Sequence, residues 1–179
     1  MSEAETLTFE KVWAALMENR EQMKETDRKM KETDRKLGEL GNRFGELAEH
    51  LVAPSIHEKF NELGFIFEQF SQNVKISDSS REIIAEIDIL LENGDIVIAV
   101  EVKAKPLQND IDVLINRIQI LRRRADARKD TRKFRGAIAG AIMNKTVRDY
   151  AHKMGLYVIE QTGDTVKINI PKDFIPKEW

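Results

Sequence analysis

The stretch IIAEIDILLENGDIVIAVEVK, residues 83–103, contains two apolar runs joined by the dipeptide Asn93-Gly94. Asn-Gly between apolar runs is a strong signal for a β-hairpin, because both residues tolerate the positive φ angles of a tight turn. The stretch therefore predicts two antiparallel strands, at 83–91 and 95–103.

Further elements follow on both sides of this hairpin. Strands are predicted at 65–76, 83–91, 95–103, 136–143, 156–160 and 165–170, and helices at 56–63, 107–124 and 146–154. The run GAIAGAIM at 136–143 is apolar on both faces, which is typical of a buried central strand. This order predicts an α/β domain at 46–179, with a mixed central sheet flanked by helices.

Acidic side chains and one lysine fall on the two strands of the hairpin. A two-residue turn at Asn93-Gly94 sets Asp88 opposite Ala99 and Glu86 opposite Glu101. Paired residues share a face of the sheet, as do residues two apart on one strand. Four side chains are therefore expected on one face, with Asp88 diagonal to Glu101; they are Glu86, Asp88, Glu101 and Lys103. Two carboxylates placed diagonally on neighbouring strands can share one hard cation, such as Mg²⁺.

The alternative interpretation is an ordinary half-exposed strand, because VEVKAK at 100–105 also alternates apolar and charged residues. Two features favour a site. The run at 96–100 is apolar on both faces, so the strand becomes polar on one face only from Glu101 onwards. The acidic residues also come from two neighbouring strands, and a basic helix follows.

The pattern of Asp88, twelve intervening residues and then Glu101-Val102-Lys103 resembles the PD-(D/E)XK nuclease superfamily. The predicted elements between residues 49 and 143 follow the αβββαβ order of its restriction-endonuclease-like core, and the resemblance covers about 46–170. Ile87 stands where the family usually has proline. The tandem MKETDRK repeats described below also look like a group of bacterial proteins of unassigned function.

The resemblance implies a role for each matched position. Asp88, Glu101 and the carbonyl of Val102 would bind Mg²⁺ or Mn²⁺, and Lys103 would orient the attacking water. A glutamate from the first helix often completes such a site, and Glu49 is the first choice here. Glu46 is the alternative. Some members add a glutamine from the next helix, for which Gln108 and Gln119 are available.

The N-terminal part contains the heptapeptide MKETDRK twice in tandem, at 23–29 and 30–36. A heptad with apolar a and d positions predicts a coiled-coil helix over 1–45 that forms a homodimer or higher homo-oligomer. The a positions are Phe9, Leu16, Met23, Met30, Leu37, Phe44 and Leu51, and the d positions are Val12, Asn19, Thr26, Thr33, Leu40 and Leu47. A solvated single helix is the alternative. Pro54 predicts a kink or a new helix start, and Gly64 a helix C-cap.

Basic residues are concentrated in the segment from Arg117 to Arg135, which covers the end of the second predicted helix and the residues after it. Lysine and arginine contact nucleic-acid phosphates independently of sequence, so this segment is a candidate DNA-binding surface. The residues chosen are Arg122, Arg123, Arg124, Arg128, Lys129 and Arg132. A solvated helix end is the alternative, because basic side chains there interact favourably with the helix dipole.

Composition excludes several other classes of protein. The 179 residues include no cysteine and three histidines, which argues against disulfides and zinc sites. No apolar run is long enough to span a bilayer, and the N-terminus lacks a signal core, so a soluble cytoplasmic protein is expected. Phosphate-loop, dinucleotide-binding and nucleophile-elbow motifs are missing.

The leading hypothesis is a metal-dependent endonuclease that hydrolyses phosphodiester bonds of DNA. One alternative is a catalytically inactive nuclease fold that binds DNA or acts as a scaffold. Another is an oligomerisation module with a structural αβ head.

Overall fold

The computed structural model describes residues 8–163 and 165–179, except for the side chains of 37–54. The chain divides near residue 43 into two compact units, of which the second spans Phe44–Trp179. The helices are α1 Phe9–Glu62, α2 Gln108–Ala127 and α3 Lys145–Lys153. The strands are β1 Gln69–Ser77, β2 Ile83–Glu92, β3 Ile96–Lys103, β4 Lys133–Gly140, β5 Tyr157–Thr162 and β6 Thr165–Asn169.

The described strands form one mixed sheet in the order β1-β2-β3-β4-β5-β6. The central pairs β3–β4 and β4–β5 are parallel, and the remaining pairs are antiparallel. Parallel neighbours need crossover connections, which α2 and α3 provide. The fold is therefore the predicted α/β class, with the helix–three strands–helix–strand order of the restriction-endonuclease-like core.

The sheet separates two apolar clusters. On one face, α2 and α3 contribute residues such as Ile111, Leu114 and Ala151; we call this the α2 face. On the other face, Ile56 and Phe60 from the end of α1 pack on the sheet; we call this the α1 face. Helices on both faces explain why β3 is apolar from Ile96 to Val100, since neither side of this part of a central strand reaches water.

The end of α1 differs from one of the two expectations for Pro54. The helix runs through this residue to Glu62, so no separate helix begins there. Burial of Ile56 and Phe60 holds the segment beyond the proline in helical form. Gly64 ends the helix as predicted: it has φ +88°, and the Phe65 N–H donates to the Phe60 carbonyl at 3.1 Å, as in a Schellman motif.

The first strand is shorter than predicted, because it begins at Gln69 rather than Phe65. Phe65 and Phe67 instead stack on each other, and Phe60 packs edge-on against both with ring centroids 6.0 Å apart. Tyr157 of β5 meets Phe60 edge-on at 5.4 Å. Aromatic packing under the end of α1 therefore replaces strand pairing in this segment.

The hairpin register is also different from the prediction. The turn is centred on Gly94-Asp95, because the Asn93 side chain accepts hydrogen bonds from the backbone N–H groups of Asp95 and Ile96 at 2.9 and 2.8 Å. Ala99 consequently lies opposite Leu90 instead of Asp88. The shift is two residues along the partner strand, and an even shift keeps each residue of β3 on its predicted face.

Candidate active site

Strands β2 and β3 separate at the end that carries the predicted site. Their pairing runs from Glu92 and Val97 to Ile89 and Val100, where it stops. Continued pairing would set Ile87 opposite Val102. The Val102 N–H instead donates to Oδ2 of the Asp88 side chain at 2.7 Å, so a carboxylate occupies the position that a strand carbonyl would hold.

The side-chain alternation of β2 changes at Asp88. Ala85 and Ile87 pack on the α2 face, whereas Ile89 and Leu91 pack on the α1 face. Regular alternation would place all four on one face. The change aims the intervening Asp88 carboxylate at the neighbouring strand.

The adjoining strand has a matching irregularity. Asn73 of β1 falls between the pairs Gln72–Ile89 and Val74–Ile87, and is therefore level with Asp88. It has φ +51°, a left-handed conformation that asparagine tolerates better than most residues. The predicted position of Glu86 is wrong for the same local reason. Alternation with its neighbours turns Glu86 away from the α2 face, and its carboxylate lies 3.7 Å from the Lys75 amine.

Glu101 is the most buried acidic side chain of this region, with 3% of its surface exposed. Its Oε1 lies 2.8 Å from the Lys103 amine, and its Oε2 accepts a hydrogen bond from Arg117 of α2. A buried carboxylate is stable as an anion only when its oxygens are paired. Each oxygen here has a cationic partner, so the charge of Glu101 is compensated from two directions.

Lys103 is 40% exposed and connects this buried carboxylate to the surface. Burial of its amine by itself lowers the pKa. The hydrogen bond and charge of Glu101, with the charges of Asp88 and Asp110, outweigh burial and raise the pKa. The Lys103 amine is thus paired with Glu101 at 2.8 Å, and Asp88 lies near enough for its charge to act on the same amine.

Two residues near the site were not predicted as parts of it. Arg117 was grouped with the basic segment, and Asp110 was not singled out. The Asp110 carboxylate accepts the Leu107 N–H at 2.7 Å, which fixes the start of α2 directly after the site strand. Gln108 and Gln119, the residues considered for a helix contribution, are both exposed, and the α2 residue that contacts Glu101 is Arg117.

The donor atoms suit a hard divalent cation. Asp88 and Glu101 offer carboxylate oxygens, and Mg²⁺ binds through one or two carboxylates while keeping several waters. The N–H and C=O of a strand residue point to the same neighbour, so the Val102 carbonyl also faces the Asp88 side. Among the described side chains, no three His, Cys, Asp or Glu residues gather as a metal cluster. Glu46 and Glu49, the candidates for a third carboxylate, lie outside the described side chains.

Three of the six predicted DNA-binding residues have partners within the protein. The Arg122 guanidinium donates to the Arg132 carbonyl at 2.6 Å and lies over the Phe134 ring at 4.8 Å. Arg124 donates to the Ser77 carbonyl at 2.6 Å. Arg132 pairs with both Asp130 and Glu92. These three arginines hold the α2–β4 connection against the sheet.

The remaining three members, Arg123, Arg128 and Lys129, are exposed. They lie in the last turns of α2 and directly after it, before Lys133. Lys133 pairs with the first residue of β3, Ile96. The site is at the other end of β3, about 23 Å away along a strand that rises roughly 3.3 Å per residue. The exposed basic residues are therefore a surface separate from the carboxylates.

One family profile matches the chain, that of "Protein of unknown function (DUF3782)", over residues 7–86. The match ends before Asp88 and covers less than half of the chain. No curated protein sequence matches. Among the described residues, no helix has the length and apolar character required to cross a membrane.

Two solved structures resemble the chain at low sequence identity. One is described as "Structure of EndoMS-dsDNA2 complex", with a TM-score of 0.37 and 15% identity over 62% of this chain and 44% of that one. The other is the small subunit of the heterodimeric restriction endonuclease R.BspD6I, with a TM-score of 0.32 and 19% identity over 61% of this chain and 63% of that one. The chain thus spans less than half the length of the first and less than two thirds of the second.

Proposed function

We propose that this protein is a metal-dependent endonuclease that hydrolyses phosphodiester bonds of DNA. The observation that carries the proposal is the convergence of Asp88, Glu101 and Lys103 where β2 and β3 separate. The place where the pairing of these two interior strands ends in a carboxylate offers oxygen ligands beside the amine of Lys103. The superfamily resemblance assigns these same three residues to phosphodiester hydrolysis.

The metal ligands would be Asp88, Glu101 and the Val102 carbonyl, with Glu49 or Glu46 as a further candidate. When bound, Mg²⁺ or Mn²⁺ supplies Lewis-acid stabilisation of phosphate charge and lowers the pKa of coordinated water. The strand backbone fixes these donors, because Glu101 and Val102 are consecutive residues and Asp88 is anchored on the Val102 N–H.

Lys103 would act as a cation and a hydrogen-bond donor. Burial disfavours the charged form of its amine, but the contact with Glu101 at 2.8 Å outweighs burial and raises the pKa. A protonated amine can donate a hydrogen bond to the oxygen of a water molecule and so orient that water. It can also stabilise negative charge that develops on phosphate. Because Lys103 is partly exposed while Glu101 is buried, the amine is the group that a phosphate would reach first.

Self-association through the N-terminal heptads is the second part of the proposal. Several a and d positions of α1 are exposed and apolar, including Leu16, Met23 and Met30. A second copy of the chain would bury them. Two nuclease units held in one assembly would allow both strands of a duplex to be cut.

The test is nicking of a supercoiled plasmid with Mg²⁺ or Mn²⁺. Asp88→Asn, Glu101→Gln and Lys103→Met should each lower the rate by about 100-fold or more, the scale expected when a group that stabilises transition-state charge is removed. Glu86→Gln is the matched control, since this carboxylate lies on the same strand and pairs at the surface with Lys75. The assignment is wrong if the three site variants cleave as fast as the control.

A nuclease fold without turnover is the competing function, and the pairing of Glu101 favours it. A buried carboxylate whose two oxygens already have cationic partners can serve as a purely structural ion pair. Thermal unfolding with and without Mn²⁺ separates the two functions. A binding site predicts that Mn²⁺ raises the Tm of the parent chain and not of Asp88→Asn, whereas a structural network predicts equal Tm values with and without metal.

A further inference from the structure

The N-terminal part of α1 carries an apolar stripe at heptad spacing. Its apolar a and d side chains within residues 9–36 are between 39% and 78% exposed; they are Phe9, Val12, Leu16, Met23 and Met30. At the start of the stripe, the ring of Trp13 stacks on Phe9 with centroids 6.2 Å apart. An exposed stripe of this spacing is the seam of a coiled coil, which is stable when another helix covers it.

The threonines at two d positions are compatible with a dry seam. The Thr26 hydroxyl donates to the Gln22 carbonyl, and the Thr33 hydroxyl donates to the Lys29 carbonyl, each at 2.9 Å. Each hydroxyl is thus satisfied within its own helix. A facing helix can therefore pack against the threonine methyl groups without burying an unsatisfied polar atom.

Charges beside the seam distinguish the two possible directions of a partner helix. Positions e and g flank the seam, and their charges select partners and orientation. In this register, Asp27 and Asp34 occupy e positions, whereas Lys29 and Lys36 occupy g positions. One flank of the seam is therefore acidic over the tandem repeats, and the other flank is basic.

A parallel partner brings these unlike flanks together. In a parallel in-register pair, each g residue faces the e residue five positions further along the other helix. Lys29 of each copy then meets Asp34 of the other, which gives two symmetric pairs of opposite charge. Gln22 likewise meets Asp27 of the second copy as a hydrogen-bonding pair.

An antiparallel partner brings like flanks together, because e then faces e and g faces g. Over the repeats, this arrangement sets Lys29 against Lys29 or Lys36 of the second copy. Asp27 similarly meets Asp27 or Asp34, and Arg20 is the one e residue of opposite charge within 9–36. Like charges across a seam disfavour that orientation.

We infer that the exposed stripe of α1 pairs with a second copy of this chain in parallel, in-register orientation. The inference rests on the self-association proposed above and is independent of DNA cleavage. In a parallel pair, both chains continue into their Phe44–Trp179 units at the same end of the paired helices.

A distance measurement tests the orientation directly. The chain has no cysteine, so Glu10→Cys in the full-length protein provides one spin-labelling site, at an outer b position. Pulsed electron paramagnetic resonance should give a distance of about 20 Å, the width of two helices. An antiparallel pair centred on the repeats would separate the two labels by about 58 Å along the helix axis, at roughly 1.5 Å per residue. That longer distance, or a monomer by light scattering, overturns the inference, whatever the outcome of the cleavage assay.

Charge reversal tests the pair that selects the orientation. Lys29→Glu should raise the dissociation constant of the dimer about tenfold at low ionic strength, because two attractive pairs become repulsive. Lys36→Glu is the matched control: both lysines have a glutamate four residues earlier within 3.5 Å, but the e residue facing Lys36 is Gly41. The double variant Lys29→Glu with Asp34→Lys should recover the affinity. Equal effects of the two single variants, or no recovery, contradict the parallel pair.

Discussion

At the scale of single residues, Arg117 has the clearest influence on the site. Its guanidinium compensates one oxygen of a carboxylate that is otherwise buried, and Lys103 compensates the other. With Asp88 the cluster contains two carboxylates and two cations, so its formal charges balance. If Glu101 bound the proposed metal, Arg117 and Lys103 would become available to a phosphate group.

Arg117→Ala should therefore destabilise the metal-free protein. Breaking a buried ion pair costs about 3–5 kcal/mol when the remaining charge stays buried, and Arg117 is partly exposed, so we expect about 2–3 kcal/mol by chemical denaturation. Saturating Mn²⁺ should reduce this difference, because the cation replaces the missing positive charge. Arg123→Ala, an exposed change on the same helix, should cost below about 0.5 kcal/mol. A difference that Mn²⁺ leaves unchanged would show that Arg117 is unrelated to a metal site.

The residues of the candidate site could be predicted because their chemistry is local to two strands. Asp88, Glu101 and Lys103 each follow or interrupt a buried apolar run, and that contrast is visible in the sequence. Arg117 could not be assigned in the same way. Its partner lies on another element sixteen residues earlier, and its neighbours in sequence suggested a surface role.

At the scale of elements, the hairpin shows which part of the prediction was fragile. Asn93-Gly94 marks the turn correctly, but the Asn93 side chain binds the following backbone and moves the turn centre by one residue. The resulting register shift of two residues preserves faces, which is why the grouping of Glu101 with Lys103 survived. The predicted position of Glu86 was wrong. The alternation of side chains along β2 changes at Asp88, and residue spacing does not reveal that change in the backbone.

The connection between α2 and β4 gives a second element-scale result. Asp130 accepts the Arg132 backbone N–H at 3.0 Å, and its two oxygens also bind the Arg132 guanidinium. These hydrogen bonds lower the pKa of Asp130 to about 2. Arginines of this segment therefore stabilise the connection between α2 and β4. A run of basic residues in the sequence does not show which of its members have that role.

Asp130→Asn should reduce stability in a pH-dependent way. A hydrogen bond to a charged group contributes about 1.5–3 kcal/mol, so we expect a loss of about 2 kcal/mol at pH 7. The folded pKa is below the ordinary value of 3.8; hence the contribution is complete above pH 4 and disappears as the pH falls towards 2. Urea denaturation at several pH values measures both the loss of stability at pH 7 and its dependence on pH. Asp126→Asn, whose carboxylate is mostly exposed, is the control, and a pH-independent difference would exclude the ionised carboxylate as the cause.

At the scale of the whole molecule, a formal net charge of -2 conceals an uneven distribution of charged residues. Acidic ligands gather where β2 and β3 separate, and the exposed basic residues Arg123, Arg128 and Lys129 lie towards the opposite end of β3. Such a separation suits a duplex that contacts the protein at one place and is cut at another. Composition alone gave no sign of it, since residues distant in sequence are brought to each end by the sheet.

The contribution of the exposed basic residues to DNA binding should be measurable in the salt dependence of DNA affinity. If Arg123, Arg128 and Lys129 each contact a phosphate, their replacement by alanine should reduce the slope of log K against log salt by about 2–3, at roughly 0.9 per contact. Lys153, Lys167 and Lys172 are exposed elsewhere, and their triple replacement removes the same charge as a control. Both triple variants should retain the parent cleavage rate at saturating DNA, because neither touches the carboxylates. Equal slopes for the two variants would mean that binding depends on overall charge, and the end of α2 would then have no special part in holding DNA.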